Sequence, residues 1–317
     1  MPEQEAILAY QPVFHNQIYM DIFWKIKRKL RKTMIARSEN PRPPSYPFIS
    51  GDTFRSLADH IYETGKDNPD GKNRSFDPIE VKNGEIVFVE AHLLENYFKE
   101  VHPRIQHPYK LITHNNDWNI TEKELRFIDD KIIHWFAQNL LVAHPKATPI
   151  PIGLENGYFA NAGYIPLFTK EPHPTGMRRP RILACFNVAS NPKERRGAFA
   201  SLSQCPTVDV GKKWHTQPQY VSIVKRYMFV ASPPGNGEDC IRTWESMLLG
   251  SIPIVKRSVG IEYFDSLRLP LWIIDSWDEL GRLSEYDLEE KYDLIMSKAD
   301  RKPLQMDYWN DLIHSKK

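Results

Sequence analysis

Three cysteines in 317 residues (Cys185, Cys205, Cys240) form no C-x-x-C pair and no even framework. A disulfide-stapled secreted domain is not expected, and a reducing compartment suits the chain better. No run of about eighteen apolar residues occurs, so no segment reads as a membrane span. The opening residues carry Glu3 and Glu5 and no cationic stretch ahead of an apolar core, so no secretory signal is expected. Net charge is only +2, from 42 basic and 40 acidic residues, too near neutral to argue for nucleic acid. Solenoid-type repeats are missing. Neither His-Glu-x-x-His nor Asp-x-Asp appears, and the eleven histidines show no ligand spacing, so no metal is expected. What is present is 41% hydrophobic and 26% charged, the composition of a soluble globular protein. The length suits two domains.

The most informative stretch is Phe229 to Ser258. Met228–Ser232 is a short apolar run that predicts a buried strand. Pro233-Pro234-Gly235-Asn236-Gly237 must turn. Asp239 stands where an N-cap belongs, ahead of a helix over 240–249, and Gly250 closes that helix. Ile252–Val255 begins the next strand. Strand, loop, helix and strand make half of a doubly wound α/β domain, where ligands bind at the carboxyl ends of strands. Arg242 and Glu245, three apart, share the helix face near its first turn. A glycine loop and a helix N-terminus suit a phosphate. Arg242 offers it a planar fork, and Glu245 can accept two ribose hydroxyls. The same spacing also fits an ordinary helix start with a surface ion pair, and spacing alone leaves both readings open.

Arg242-Thr243-Trp244-Glu245-Ser246-Met247, followed by Gly250-Ser251-Ile252-Pro253-Ile254-Val255, resembles the C-terminal signature of exostosin-family glycosyltransferases. That pattern is an Arg, a Glu three residues on, and a strand of the type small-x-Ile/Val-Pro-Val/Ile. Cys240 stands where family members often carry Ser. The resemblance implies a GT-B fold, two Rossmann-like domains with mainly parallel sheets facing across a cleft. It implies a UDP-sugar held by the C-terminal domain, inverting transfer, and a diphosphate met by dipoles and cations with no metal or other cofactor.

Elsewhere the chain divides into a basic segment and linker (1–45), an acceptor domain (46–165), a nucleotide-sugar domain (178–300) and a C-terminal segment (301–317) that can return to the first domain. Over Met20–Ile35, six cations fall in the eight positions 25–32 beside Ile22, Phe23, Ile26, Leu30 and Met34 at helical spacing. This predicts a basic amphipathic helix that either packs on its own protein or lies on an anionic membrane. Strands are expected at 46–50, 85–90, 109–113, 131–139 and 148–152, with helices at 54–62 and 93–100. In the second half, strands are expected at 181–188, 207–211 and 271–274, with helices at 219–227 and 287–298. Polar residues at strand ends are the site candidates: Asp52, Arg55, His114 and Asp117 in the acceptor half, and Asn187, Asn191 and Arg195 with the donor. Gly235, Asn236 and Gly237 belong to the donor loop.

Inverting transfer needs one general base for the acceptor hydroxyl. Asp52 in the first strand–helix loop is the first candidate and Asp117 the second, although Asp52 can equally cap the helix that follows. His114–Asp117 can also be a plain turn. Two further readings compete. A sugar-nucleotide epimerase would need an acid–base pair that the C-terminal half does not display. A non-catalytic nucleotide- or glycan-binding module would keep Arg242 and Glu245 but tolerate loss of Asp52 and Asp117. The partners expected are a nucleotide sugar and a glycan or lipid-linked acceptor, with an anionic membrane surface and no nucleic acid. The expected location is the cytoplasm, in a bacterial or viral setting of surface-glycan synthesis.

Overall fold

The computed structural model describes residues 12–317 apart from 37, 39, 66–68, 70, 160–161, 170–176 and 212–215, with the side chains of 12–21 and 36 also outside the description. Parts of the expected loop at 64–74 and of the proline-rich connector at 160–180 therefore lie outside the described residues.

Helix α1 (Pro12–Ala36) leads into α2 (Gly51–Arg55) and a first sheet of five parallel strands: β1 (His60–Tyr62), β2 (Ile86–Glu90), β3 (Tyr109–His114), β4 (Ile132–Ala137) and β5 (Ala147–Pro149). The strands lie in sequence order. Short helices α3 (Leu94–Asn96) and α4 (Glu122–Leu125) fall between them. β2 and β3 are buried along their whole length, which is why they read as continuous apolar runs. Successive side chains still alternate. Val87, Val89, Leu111 and Trp135 pack on one face, and Ile86, Phe88, Ile112 and Phe136 on the other.

The second half is built from β6 (Arg179–Ala184), β7 (Val208–Val210), β8 (Tyr227–Ala231), β9 (Ile252–Lys256) and β10 (Trp272–Ile274), again all parallel, in the order β7-β6-β8-β9-β10. Its helices are α5 (Pro192–Leu202), α6 (Gln217–Val224), α7 (Ile241–Leu248), α8 (Val259–Ser266) and α9 (Glu285–Lys298), followed by α10 (Met306–Ser315). Strand order reverses between β6 and β8, and the crevice outside such a switch point is where doubly wound sheets bind ligands. Two Rossmann-like halves of this kind, facing each other, are the GT-B architecture.

One apolar cluster runs through both halves. It joins Phe54, Phe88 and Phe136 to Leu183, Trp244 and Met247, with Trp309 of α10 among them. Trp309 is fully buried, its ring 6.4 Å from Phe54 and 6.2 Å from Phe264. The Met306 N–H donates to Pro47 O at 2.9 Å, and the Tyr46 hydroxyl donates to Asp307 at 2.8 Å. The C-terminal helix thus packs on both halves.

Two expected elements differ. Residues 46–50 make only single bridges, Phe48 with Gln305 and Ser50 with Leu154, because a proline at 47 denies the segment a ladder donor. The expected helix at 54–62 stops at Arg55. His60–Tyr62 instead pairs with β2 as an edge strand, its register held by the Asp59 carboxylate accepting from Ile86 N–H at 2.9 Å.

Candidate active site

Helix α7 is fixed at both ends. At its C-terminus Gly250 takes φ 82°, a left-handed conformation natural to glycine. Gly250 N–H reaches Met247 O at 3.1 Å and Ser251 N–H reaches Ser246 O at 2.9 Å, which is a Schellman closure. The buried Arg178 donates to Leu249 O at 2.6 Å, a cation on the negative end of the helix. At the N-terminus the expected cap is displaced by one residue. Cys240 is the N-cap, but its thiol bonds Pro233 O and makes no capping bond to the helix. Asp239 accepts instead from Cys240 N–H and from Trp244 Nε1, both at 2.8 Å. It also accepts from Ile152 N–H at 2.8 Å, across from the first half. Asn139 Oδ1 accepts from Asp239 N–H at 3.0 Å, and a Cβ on Gly237 would stand 2.5 Å from the Asn139 side chain. Only glycine lets this loop approach the end of β4 so closely.

Opposite the first turn of α7 lies a cavity of about 320 Å³, walled by Gly51, His114, Asn115, Asp117, Gln138 and Glu155 among others, with Ile241 of α7 closing it from the second half. Loops after β3, β4 and β5 build it. A Cβ on Gly51 would collide with Asn115 and His114, so glycine is what lets the β3 loop close the wall. His114 donates from Nε2 to Pro151 O at 3.0 Å and accepts Asn115 N–H at Nδ1. Burial holds its pKa down to about 4, so it is neutral and spent on positioning. Asn115 Nδ2 and Gln138 Oε1 are buried and lack hydrogen-bond partners. Native interiors seldom leave such atoms unpaired, and a hydroxyl-rich ligand would satisfy them.

The charged groups converge from the two sides. The Arg242 side chain makes no hydrogen bond among the described residues and its Nε is buried without a partner. Its guanidinium lies 6.0 Å over the ring of Phe186, just past β6. Burial pushes Glu245 up to about 8, against Arg242 and with help from the charge of Glu155. The buried Tyr220 hydroxyl faces it and completes no normal hydrogen bond. Burial likewise lifts Glu155 to about 7, reinforced by Asp117 and Asp52, and Asp239 to about 7.

These raised carboxyls have a thermodynamic consequence. The unfolded chain releases their protons near pH 4, whereas the folded protein retains them until pH 7–8. The native state therefore binds more protons in that window, and stability falls as pH rises through it. His114 works in the opposite sense only below about pH 6.5. The melting temperature of the ligand-free protein should accordingly drop between about pH 6.5 and 8.5. Glu245→Gln should shrink that drop, as a pH series of thermal melts would show. An unchanged slope in the variant would mean that Glu245 is ionised throughout.

The sequence candidates fall into two groups. His114 and Asp117 line the cavity, whereas Arg242 and Glu245 do not line it but follow Ile241, which does, on α7, with Glu245 within electrostatic reach of Glu155. Asp52 does not line the cavity. Its side chain is fully buried against Arg42, at 2.6 Å, and Ser50, not Asp52, caps α2. Arg55 is committed to Glu63 through two bonds of 2.9 and 2.8 Å. Arg195 is buried and donates to the carbonyls of Pro234, Asn187 and Pro233. Asn191 donates to Gly235 O while capping α5, and Asn187 caps the turn at 188–190. These three therefore shape the Pro233–Gly237 loop from beneath, with Asn236 exposed at its tip. The feature that sequence reasoning passed over is Glu155. Its signal was its place on the loop that follows the fifth strand, at the carboxyl edge of the sheet.

Among the described residues no group of three or more His, Cys, Asp or Glu side chains could hold a metal ion. No protein-family model matches the sequence, and a search of curated proteins gives no significant match. Among solved structures the fold is similar to TarM (TM-score 0.38, 12% identity, covering 73% of this chain and 55% of that one). It is also similar to the GtfA/B complex (0.40, 12%, 74% and 58%). A third is the spinosyn rhamnosyltransferase SpnG complexed with thymidine diphosphate (0.31, 11%, 73% and 68%). This chain spans little more than half the length of the first two.

Proposed function

We propose that the protein is a glycosyltransferase that takes a sugar from a nucleoside diphosphate donor, UDP for preference, and passes it with inversion to a hydroxyl-bearing glycan or lipid-linked acceptor. The observation that carries this reading is the pairing of unsatisfied groups across the cleft. On one side stands the unpartnered Nε of Arg242, with Glu245 one helical turn on, at the switch point between β6 and β8. On the other is a polar cavity with the unpartnered Asn115 Nδ2 and Gln138 Oε1 in its wall beside Glu155. The resemblance of 242–255 to the exostosin signature points the same way.

In this reading Arg242 and the first turn of α7 receive the diphosphate, and Glu245 receives the ribose hydroxyls. The acceptor lies in the cavity with its hydroxyl at Glu155. As that oxygen bonds to the anomeric carbon, the carbon–oxygen bond to the diphosphate breaks. The hydroxyl proton passes to Glu155, and the leaving group's growing charge falls on Arg242. A base should titrate near the working pH, and Glu155 at about 7 does.

Calorimetric titration with uridine and thymidine diphosphates, and release of either from a panel of nucleotide sugars with and without acceptors, tests the reading. Glu245→Ala should weaken nucleotide binding by about 1–3 kcal/mol, the cost of leaving the ribose hydroxyls without their buried partner. Arg242→Lys should be similarly damaging, because an ammonium cannot reproduce a planar fork. Nucleotide binding without sugar transfer would indicate a binding module. Unchanged affinity in both variants would remove the donor from this crevice.

A further inference from the structure

Sequence alone leaves α1 with two uses for its apolar stripe, and the structure separates them. The helix grips the protein with a different face. Trp24 packs edge-on against Tyr164 at 5.1 Å. Lys27 donates to the Tyr164 hydroxyl at 2.8 Å, and Arg31 donates to the carbonyls of Gly157 and Gly163. Ile22, Phe23, Ile26, Leu30 and Met34 are left 49–72% exposed. They are five of the fifteen large apolar side chains exposed among the described residues, and at 100° per residue all five fall within one third of the helix circumference. Lys25, Arg28, Lys29 and Lys32 are exposed on the remaining face and make no ion pair among the described residues. The helix thus has three sides: one docked, one apolar and open, one basic and open.

We infer that α1 seats the protein on an anionic lipid bilayer, its apolar stripe inserted at the headgroup boundary and its basic face on the lipid charge. Charge decides the occupant. Residues 22–36 contain no acid. Removing the six cations of 25–32 from the net charge of +2 leaves −4 for the rest of the chain. A second copy laid helix on helix would oppose like charges, and nucleic acid would have no use for the apolar stripe. A helix of 25 residues, about 37 Å long, with apolar and basic faces adjoining is what interfacial binding requires.

The placement also bears on the site. The loop that Arg31 holds, 157–163, carries Tyr158 and Phe159 of the cavity wall. Seating α1 therefore brings this side of the cavity to the bilayer surface. This last step rests on the transferase reading and narrows its acceptor to one carried by lipid. The binding itself does not depend on that reading.

The test is co-sedimentation of the full chain with vesicles of neutral phosphatidylcholine and with vesicles also containing phosphatidylserine. The wild type should sediment with the anionic vesicles only, and less at high salt. Reversal of Lys25, Arg28, Lys29 and Lys32 to Glu should lower partitioning by more than about tenfold. Ile26→Asp with Leu30→Asp should do the same. All six side chains are exposed, so melting temperature and nucleotide affinity should not move. Those two readouts separate a failure here from a failure of the transferase assignment. No binding by the wild type, binding that survives both sets of changes, or a dimer that either set dissociates would overturn the inference.

Discussion

Glu155→Gln should lower turnover by roughly 10²–10⁴-fold, the usual worth of a general base, and leave nucleoside diphosphate affinity unchanged. The amide keeps the shape of the carboxyl and its hydrogen bond from Asn156 N–H, now 3.1 Å, but cannot take the acceptor's proton. Of the carboxylates expected to serve, Asp117 is exposed at the cavity rim and Asp52 is sealed from it. Glu155 alone of the three combines contact with the cavity and partial burial. The wild-type rate should rise with pH through about 7, where Glu155 gives up its proton, and the variant's profile should lose that limb. Asp117→Asn is the matched comparison, and a larger loss there would move the base to the β3 loop.

How much of this could be read beforehand depended on the kind of signal. The α7 region was legible because its features are local. An apolar run, prolines and glycines, a helix and a closing glycine follow one another within thirty residues, and each has a fixed conformational meaning. The parallel strands β2, β3 and β4 were legible for the same reason. Asp52 and Arg55 misled because their position at the start of a short helix was visible while their partners were not. Arg42 and Glu63 are ten and eight residues away, and no periodicity announces a buried ion pair. Arg195, Asn187 and Asn191 were placed near the right loop but assigned to a ligand, where the loop's own carbonyls needed them. For α1 the pattern gave the amphipathic helix, but which face met the protein was decided by Tyr164, Gly157 and Gly163, more than a hundred residues on.

Asp52→Asn should cost about 3–5 kcal/mol of stability, the scale of leaving one member of a buried ion pair without its counter-charge. Arg42 is only 4% exposed and approaches Asp52 through Nε at 2.8 Å and Nη2 at 2.6 Å. Its third nitrogen reaches Glu63 at 2.9 Å, and Glu63 also receives Arg55 and Arg74. Two carboxylates thus face three guanidiniums. Burial pushes the Asp52 carboxyl up while Arg42 pulls it down. Neutralising Asp52 leaves Glu63 alone against three cations, of which Arg42 is almost wholly buried. Urea melts should show the loss. An Arg42→Met change made on top of Asp52→Asn should recover part of it, because the stranded charge is then gone. Turnover per folded molecule should stay near the wild-type value, since the Asp52 side chain does not line the cavity, the residue's bond to Asn156 Oδ1 at 2.8 Å comes from the backbone N–H that the change keeps, and losing its charge only eases the deprotonation of Glu155. A variant that melts normally yet turns over a hundredfold more slowly, on the general-base scale, would return the base to Asp52 and leave Glu155 a bystander in the wall.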